Sequence, residues 1–229
     1  MSDLPWKKIQ TVLLDMDGTL LDLHFDNHFW LDHLPNKLAR QRNISYSDAK
    51  EIMLAEYEQV VGTLSWYCLD FWSKKLDIDI IQAKREISHL ISMREDAIPF
   101  MDALRISGRE VILVTNAHPD SLSLKVERTQ LDSHIDTLIS THEFGVTKES
   151  QLLWHKLQQR LQFQPANTLF VDDSLSILQA AKDFGIAHLL AVNNPDSQQT
   201  PRDIREFPAI QDYRYLLDEI LQNPFVMDC

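Results

Sequence analysis

Five short apolar runs recur along the chain without the polar alternation that a half-exposed strand would show. Runs of this kind, rich in Val, Leu and Ile, are typical of strands covered on both faces. The intervals between them show helical spacing, and strands that alternate with helices indicate a parallel α/β sheet. The predicted strands are TVLL (11–14), EVILV (110–114), DTLIS (136–140), TLFV (168–171) and HLLAV (188–192).

Helices are predicted in the second half of the chain between these strands. One covers residues 97–107 and another covers 176–184, and each is followed by a glycine, which is favoured just past a helix C-terminus. The polar stretch 195–211 predicts a surface loop, and a last helix is expected near 212–221.

The interval between the first two predicted strands is too long for a simple crossover. A βαβ unit takes roughly 30 residues, whereas about 95 residues separate the first run from the second. Helical periodicity without a convincing strand fills this interval and predicts four helices, over 28–40, 47–61, 65–76 and 80–91. The predicted organisation is a core of residues 1–22 and 95–229, interrupted by a helical unit of residues 23–94, called the insert below.

Charge and cysteine content narrow the classes of partner. The 229 residues carry a formal net charge of −12 without basic runs, so nucleic acid and anionic membrane surfaces are not expected partners. Cys68 and Cys229 suggest neither a disulfide framework nor a cysteine-rich metal site. The N-terminus lacks the apolar segment of a secretory signal, so a cytoplasmic location is the expectation. The oligomeric state stays open.

Polar side chains follow the carboxyl ends of four predicted strands. Asp15 follows the first strand and Thr115 the second. Lys148 lies in a loop after the third, and Asp172 and Asp173 follow the fourth. Ligands of parallel α/β sheets bind at this edge, so we expect these distant residues to meet there.

Asp17 adds a further carboxylate two residues after Asp15. Two unit charges about 4 Å apart repel by about 4 kcal/mol at an effective dielectric constant near 20, so several clustered carboxylates need a cation. Mg²⁺ prefers a few carboxylates together with phosphate and water. The residues therefore predict a divalent-cation site that binds a phosphate group.

The motifs resemble those of a known family, the haloacid dehalogenase (HAD) phosphohydrolase superfamily. They occur in the family's order as Asp15-x-Asp17-Gly18-Thr19, Thr115-Asn116, Lys148 and Asp172-Asp173. The insert is similar in position to the helical cap of that superfamily. The resemblance implies a Rossmann-like core with a parallel sheet and an inserted α-helical cap. Stretches such as TLSWYCLDFW and TNAHPDSL further resemble bacterial purine 5′-nucleotidases of this superfamily, which act on GMP and IMP.

The resemblance implies a Mg²⁺-dependent phosphomonoesterase with an aspartyl-phosphate intermediate. Asp15 is expected to be the nucleophile, and Asp17 the acid that protonates the leaving alkoxide and then activates water. Asp15, the Asp17 backbone carbonyl and Asp173 are expected to bind Mg²⁺. Asp172 is expected to contact the ion through water. The implied substrate is a nucleoside monophosphate.

The remaining motif residues are expected to hold the phosphate. The resemblance assigns phosphoryl oxygens to Thr115, the Asn116 amide and Lys148, while Gly18 allows a turn that points backbone N–H groups at the phosphate. One residue departs from the family, since Glu149 stands where many relatives carry proline. That change affects the loop and leaves the Lys148 ammonium in place.

Helical projection suggests which aromatic side chains of the insert face the cleft. A continuous helix over 65–76 places Trp66 nearly opposite its apolar face, and Phe25 and Phe29 form a separate i, i+4 pair. These three are predicted to line the cleft where a purine stacks, although they would also suit packing of the insert against the core. His24, which follows the Asp15 loop, is added to them. The predicted core stripe of the first insert helix is Trp30, Leu31, Leu34 and Leu38.

Other activities use similar motifs. A sugar-phosphate phosphatase or a phosphomutase would share the core residues and differ in the insert. A haloacid dehalogenase would have no use for Asp17 or a metal. A phosphate- or nucleotide-sensing module, from a different class, would have no reason to carry the insert.

Overall fold

The computed structural model describes residues 4–226 and contains one six-stranded sheet. All pairs are parallel, in the order β3-β2-β1-β4-β5-β6. The strands are β1 (Thr11–Leu14), β2 (Glu110–Thr115), β3 (Thr137–Ser140), β4 (Thr168–Asp172), β5 (His188–Val192) and β6 (Ala209–Ile210). The α/β fold and the five predicted strands are confirmed. Strand β6 lies within 195–211, so the prediction of loop throughout that stretch is wrong.

Strand β1 lies in the middle of the sheet, between β2 and β4. Leu14 pairs with Leu113 of β2 and with Val171 of β4. This register brings the carboxyl ends of the three strands level, and the polar residues that follow them therefore start from one edge.

Helices cover both faces of the sheet, which explains why the strands lack polar alternation. Leu14 faces one apolar layer and Leu13 the other, and both are fully buried. The first layer includes α7 (Ala97–Ile106) and α11 (Leu217–Gln222), and the second includes α9 (Gln151–Leu161) and α10 (Leu175–Phe184). The helices predicted over 97–107 and 176–184 are confirmed to within one residue. The last one begins as a 3-10 turn (Tyr213–Leu216) before α11.

The insert is helical, as predicted. Its elements are α1 (His24–His28), a π-helical segment (Phe29–His33), α2 (Leu34–Arg42), α3 (Tyr46–Val60), α4 (Leu64–Tyr67), α5 (Leu69–Leu76), α6 (Ile80–Glu86) and a 3-10 turn (Ser88–Leu90). They enclose a third apolar core, which also takes in Leu124 from α8 (Pro119–Thr129) of the sheet domain. An isolated bridge between Leu21 and Met93 lies near both ends of the insert. The domain boundaries at 22/23 and 94/95 stay a prediction.

Two irregularities inside the insert overturn the helical projections. The helix predicted over 65–76 is interrupted at Cys68, whose backbone is extended at φ −83° and ψ 110°. The π-helical segment adds a residue to one turn and shifts the side chains that follow it. Leu31, which lies within that segment and was predicted for the insert core, is 41% exposed, whereas Leu34 is fully buried.

Helix lengths also bear on membrane insertion. Among residues 4–226, no helix is both long and apolar enough to cross a membrane.

Candidate active site

Lys148 joins two carboxylates at the edge of the sheet. Its Nζ donates hydrogen bonds to Oδ1 of Asp15 at 2.5 Å and to Oδ2 of Asp172 at 2.7 Å, and all three residues are buried. The loop that carries the lysine is held in turn, since the Lys148 backbone N–H donates to Asn116 Oδ1 at 2.9 Å. The ammonium therefore has a fixed position. Lys148, Asp15 and Asp172 are called the core network below.

Burial sets the charge states of these groups. It raises the pKa of Asp15 to about 6, against the attraction of Lys148. Burial also raises the pKa values of Asp172 and Asp173 to about 6. Burial alone would lower the pKa of Lys148, but the charges of Asp15 and Asp172 outweigh it and raise that pKa. The lysine stays charged, and the surplus carboxylates would gain from an additional cation.

The carboxylates form a donor set that fits Mg²⁺. Oxygen atoms of Asp15, Asp172 and Asp173 lie within 4.8 Å of one another, and hard oxygen donors are those that Mg²⁺ prefers. Both Asp172 oxygens already accept hydrogen bonds, one from Lys148 and one from a backbone amide at 2.8 Å. One Asp173 oxygen accepts from Arg202 at 2.8 Å. Asp172 is thus the least available of the three as a direct ligand.

Gly18 lets the loop after β1 approach the carboxylates. Its φ is +83°, in the left-handed region, and a Cβ at this position would lie 2.8 Å from Cγ of Asp173 and 3.0 Å from Cβ of Pro195. A side chain would collide with the carboxylate cluster, so glycine is required here by both conformation and space.

Thr115 and Asn116 end β2 at the same edge. The Thr115 Oγ1 accepts a hydrogen bond from the Ala117 backbone N–H at 3.0 Å. The Asn116 side-chain oxygen accepts from the Lys148 backbone and from Thr141 Oγ1 at 3.0 Å. The Asn116 side chain therefore braces two loops of the site, and its backbone amide is the group expected to meet phosphate.

Glu149, the departure from the family pattern, connects the core to the insert. Its carboxylate accepts hydrogen bonds from Asn116 Nδ2 at 3.1 Å and from the Tyr67 hydroxyl at 3.2 Å. Tyr67 belongs to α4 of the insert, so this glutamate ties the loop of Lys148 to the opposite wall of the cleft.

A second set of buried charges holds Asp17. The Lys125 Nζ donates to Oδ1 of Asp17 and to Oδ2 of Asp26, both at 2.6 Å. The Lys84 Nζ donates to the other Asp26 oxygen at 2.8 Å. Lys125 lies on α8 of the core, whereas Asp26 and Lys84 lie on the insert. These four residues are called the junction network.

The pKa values of the two carboxylates in the junction network are shifted in opposite directions. Burial raises the pKa of Asp17 to about 6, although Lys125 opposes the shift. Burial acts on Asp26 as well, but the attraction of Lys125 and Lys84 outweighs it and holds the pKa of Asp26 well below its usual range. Burial lowers the pKa of Lys84, with Asp26 opposing the shift. Asp17 can therefore hold a proton under conditions where Asp26 stays ionised.

Lys84, Lys125 and Asp26 were not predicted as site residues from the sequence. A weak signal for Lys125 exists, because it follows Ser121 by four residues and Leu124 by one on the buried face of α8. Lysine at such a position usually marks a solvated helix face, so the residue types alone gave no reason to expect a buried pair.

A cleft of about 280 Å³ lies between the core and the insert. Its wall includes these predicted site residues: Asp15, Asp17, Thr115, Asn116, Lys148, Asp172, Asp173 and Trp66. Aromatic residues that the projection had not placed there, Trp30 and Tyr67, also line it, as do His118 and both lysines of the junction network. Trp30 and Trp66 stack with ring centroids 6.3 Å apart.

Three residues predicted for the cleft lie elsewhere, and Gly18 is not part of the cleft lining either. Phe25 and Phe29 are buried in the insert core, where Lys84 Nζ sits 4.9 and 4.6 Å from their ring centroids. The prediction that they line the cleft is wrong, because both side chains are buried and the Lys84 ammonium lies against their rings. His24 is also absent from the described lining, and its Nδ1 lies 3.8 Å from Oδ1 of Asp196.

The fold is of the parallel α/β class with a helical unit between its first two strands, and its sheet edge carries a cluster of carboxylates and lysines, as in enzymes that bind phosphate. A family model for haloacid dehalogenase-like hydrolases matches residues 9–185, and the chain belongs to that family. The family expectation from the four motifs is confirmed.

Relatives and solved structures agree with this assignment. The chain is 45% identical to the GMP/IMP nucleotidase YrfG of Escherichia coli (strain K12), over 96% of this chain and 99% of that protein. It is 22% identical to an (S)-2-haloacid dehalogenase of Pseudomonas putida, over 78% of this chain and 82% of that one. A HAD phosphatase from Thermococcus onnurineus superposes with a TM-score of 0.78 at 25% identity, covering 95% of this chain and 100% of that chain.

Proposed function

We propose that the chain is a Mg²⁺-dependent 5′-nucleotidase that hydrolyses GMP and IMP through an aspartyl-phosphate on Asp15. The observation that carries the proposal is that one cleft is lined by both the Asp15–Lys148 pair and the insert aromatics Trp30 and Trp66. The first suits a phosphate and the second a purine. The name of the nucleotidase that is 45% identical supplies the two substrates.

The two carboxylates of the first motif take different steps. A carboxylate oxygen of Asp15 attacks phosphorus and forms an O–P bond as the bond to the nucleoside 5′-oxygen breaks. Asp17 donates a proton to the departing oxygen, a role that its raised pKa of about 6 supports. Asp17 then takes a proton from the water that attacks phosphorus, which releases phosphate and restores Asp15.

Three groups of the core are assigned to the phosphoryl oxygens. Lys148 offers a fixed ammonium, the Thr115 hydroxyl a donor at the end of β2, and Asn116 its backbone amide. Donors held in place before the reaction stabilise charge that develops in the transition state. Gly18 allows backbone N–H groups of its loop to face the same phosphate.

Asp15, Asp173 and the Asp17 backbone carbonyl are assigned to hold Mg²⁺, with Asp172 contacting the ion through water. The hydrogen bonds that already occupy both Asp172 oxygens support that division. When bound, the ion supplies positive charge that offsets the carboxylates and polarises phosphoryl oxygens.

Phosphate release from a panel of esters tests this proposal. The panel contains GMP, IMP, AMP, UMP, glucose 6-phosphate and p-nitrophenyl phosphate, each assayed with Mg²⁺ and with excess chelator. We expect kcat/KM to be highest for GMP and IMP and to vanish with chelator. A preference for the sugar phosphate would leave a phosphatase and overturn the nucleotidase assignment. No release from any ester would favour the sensing-module alternative.

A further inference from the structure

A cluster of one cysteine and two histidine side chains lies at the cleft, and His118 belongs to the cleft lining. Cys68 comes from the break between α4 and α5 of the insert, whereas His118 and His142 follow β2 and β3 of the core. One ligand atom from each of the three lies within 4.8 Å of the other two. The proposed hydrolysis uses none of these atoms.

His142 has a ring nitrogen with no assigned role. Its Nε2 is buried and has no hydrogen-bond partner among the described residues. Burial lowers the pKa of the His142 imidazole, and the neighbouring His118 lowers it further, which favours the neutral ring that a metal ligand requires. Buried polar atoms are rarely left unpaired, and an absent ion is one of the usual reasons.

His118 can free its Nε2 for a cation by a change of tautomer. Its Nδ1 accepts a hydrogen bond from the Asp120 backbone N–H at 3.2 Å, so the neutral ring carries its proton on Nε2, and an Asp120 carboxylate oxygen lies 3.7 Å from Nδ1. Cation binding at Nε2 leaves the ring proton on Nδ1, where the Asp120 carboxylate accepts it in place of the backbone contact. Metal-binding histidines commonly donate their other N–H to a carboxylate in this way.

Asp70 lies on the open side of the cluster. Its Oδ2 is 3.6 Å from the His118 Nε2, and its side chain is 85% exposed, so it can move toward a fourth ligand position. Sulfur, two imidazoles and a carboxylate are a tetrahedral donor set for Zn²⁺ and for Co²⁺, whereas Mg²⁺ avoids sulfur.

We propose that Cys68, His118 and His142 bind a thiophilic divalent cation of the Zn²⁺ class, with Asp70 as the fourth ligand. Tetrahedral ligands at Zn–S and Zn–N distances of about 2.3 and 2.0 Å are about 3.5 Å apart, so binding requires only that the side chains close inward. Because two ligands belong to the insert and two to the core, the cation fastens the insert across the cleft. Bound Zn²⁺ therefore slows any turnover that requires the cleft to open.

Co²⁺ absorption spectroscopy tests the site, because a cobalt–thiolate bond absorbs in the near ultraviolet and carboxylate-bound Co²⁺ does not. The full chain is titrated with Co²⁺ in saturating Mg²⁺, in a Cys229→Ser background that leaves Cys68 as its single thiol. We expect a thiolate band that saturates at one Co²⁺ per chain. Further addition of Cys68→Ser removes the band, and His142→Gln weakens Co²⁺ binding at least about tenfold. Circular dichroism confirms that each variant is folded.

The outcome is decisive in both directions. No thiolate band at millimolar Co²⁺, or equal Co²⁺ affinity with and without His142, would overturn the proposed site. To test whether the cation restricts opening of the cleft, the phosphatase activity of each variant is measured with and without Zn²⁺, and the two rates are compared. Inhibition that is relieved by Cys68→Ser supports the bridge. Unchanged inhibition assigns the effect to the carboxylates and overturns the bridge. Neither readout depends on which ester the enzyme prefers.

Discussion

Two buried lysine networks flank the first motif, and they differ in where their partners come from. In the core network Lys148 pairs with Asp15 and Asp172, and every member belongs to the sheet domain. In the junction network Lys125 pairs with Asp17, and its second carboxylate, Asp26, belongs to the insert.

The charge balance differs as well. The core network has two carboxylates for one ammonium and so carries one negative charge in excess. The junction network has two of each, because Lys84 also pairs with Asp26. An unbalanced cluster suits a site that receives a cation, whereas a balanced one suits a group that must keep its orientation. Asp15 and Asp17 are thus held by different lysines, and of the two lysines only Lys125 also bonds directly to a carboxylate of the insert.

The largest expected effect follows from breaking the core network. Lys148→Met removes the ammonium from two buried carboxylates and from the phosphate, so we expect kcat for IMP to fall about 1,000-fold. Removing one partner of a buried ion pair also lowers the free energy of unfolding by about 3 kcal/mol. Steady-state kinetics and urea unfolding measure the two effects. Lys74→Met, at an exposed position of α5, is the control and should change neither.

A smaller effect is expected from breaking the junction network. Lys125→Met leaves Asp17 without its hydrogen bond and should lower kcat/KM for IMP about 100-fold, within the range of general acid–base catalysis. The loss of kcat/KM should be much smaller for p-nitrophenyl phosphate, whose leaving group departs without a proton, because kcat/KM covers only the steps up to the aspartyl-phosphate. Adding Asp26→Asn leaves the buried Lys84 ammonium without its carboxylate and should recover neither stability nor kcat/KM. Equal losses of kcat/KM for both esters would contradict a role through Asp17.

The aromatic residues that line the cleft offer a third test. Trp66→Leu should raise KM for IMP about tenfold, since a base stacked on an aromatic ring contributes roughly 1–3 kcal/mol. KM for p-nitrophenyl phosphate should change little. Phe29→Leu is the matched control, because Phe29 is buried in the insert core and should affect thermal stability and not KM. The opposite pattern would place Phe29, and not Trp66, against the base of IMP.

The smallest expected effect is on thermal stability, which should depend on pH and on Mg²⁺. The pKa values of Asp15, Asp172 and Asp173 are raised from 3.8 to about 6 in the folded chain. The native state therefore binds more protons than the unfolded one in that range, and metal-free stability falls as pH rises from about 4 through 6. Saturating Mg²⁺ should raise Tm by about 5 °C at pH 7.5 and hardly at pH 5. If calorimetry finds the same Mg²⁺-induced rise in Tm at pH 7.5 and at pH 5, Asp15, Asp172 and Asp173 are excluded as the Mg²⁺ site.

The core could be predicted from sequence because its signals are local. Apolar runs identify strands, parallel strands share one polar edge, and the motif residues therefore meet there wherever they lie in the chain. Asp15, Thr115, Lys148 and Asp172 all line the same cleft as expected.

The junction network and the cleft aromatics could not be predicted in the same way. Lys125 pairs with Asp26 from 99 residues away in the sequence, and Lys84 pairs with it from 58 residues away. Burial of these charges depends on partners that no local pattern reveals. The π-helical segment and the break at Cys68 likewise shift which residues face the cleft. The break has no proline or glycine beside it, whereas Pro35 follows the π-helical segment and cannot donate a backbone hydrogen bond to Leu31 within it.

A pre-steady-state burst with p-nitrophenyl phosphate tests most directly whether Asp15 attacks while Asp17 moves protons. Asp17→Asn should release p-nitrophenol in a rapid burst that equals the enzyme concentration, followed by slow turnover, because only the second step then needs the missing base. Asp15→Asn should give neither burst nor turnover. A burst from Asp15→Asn, or none from a folded Asp17→Asn that still binds Mg²⁺, would contradict the division of roles between the two carboxylates.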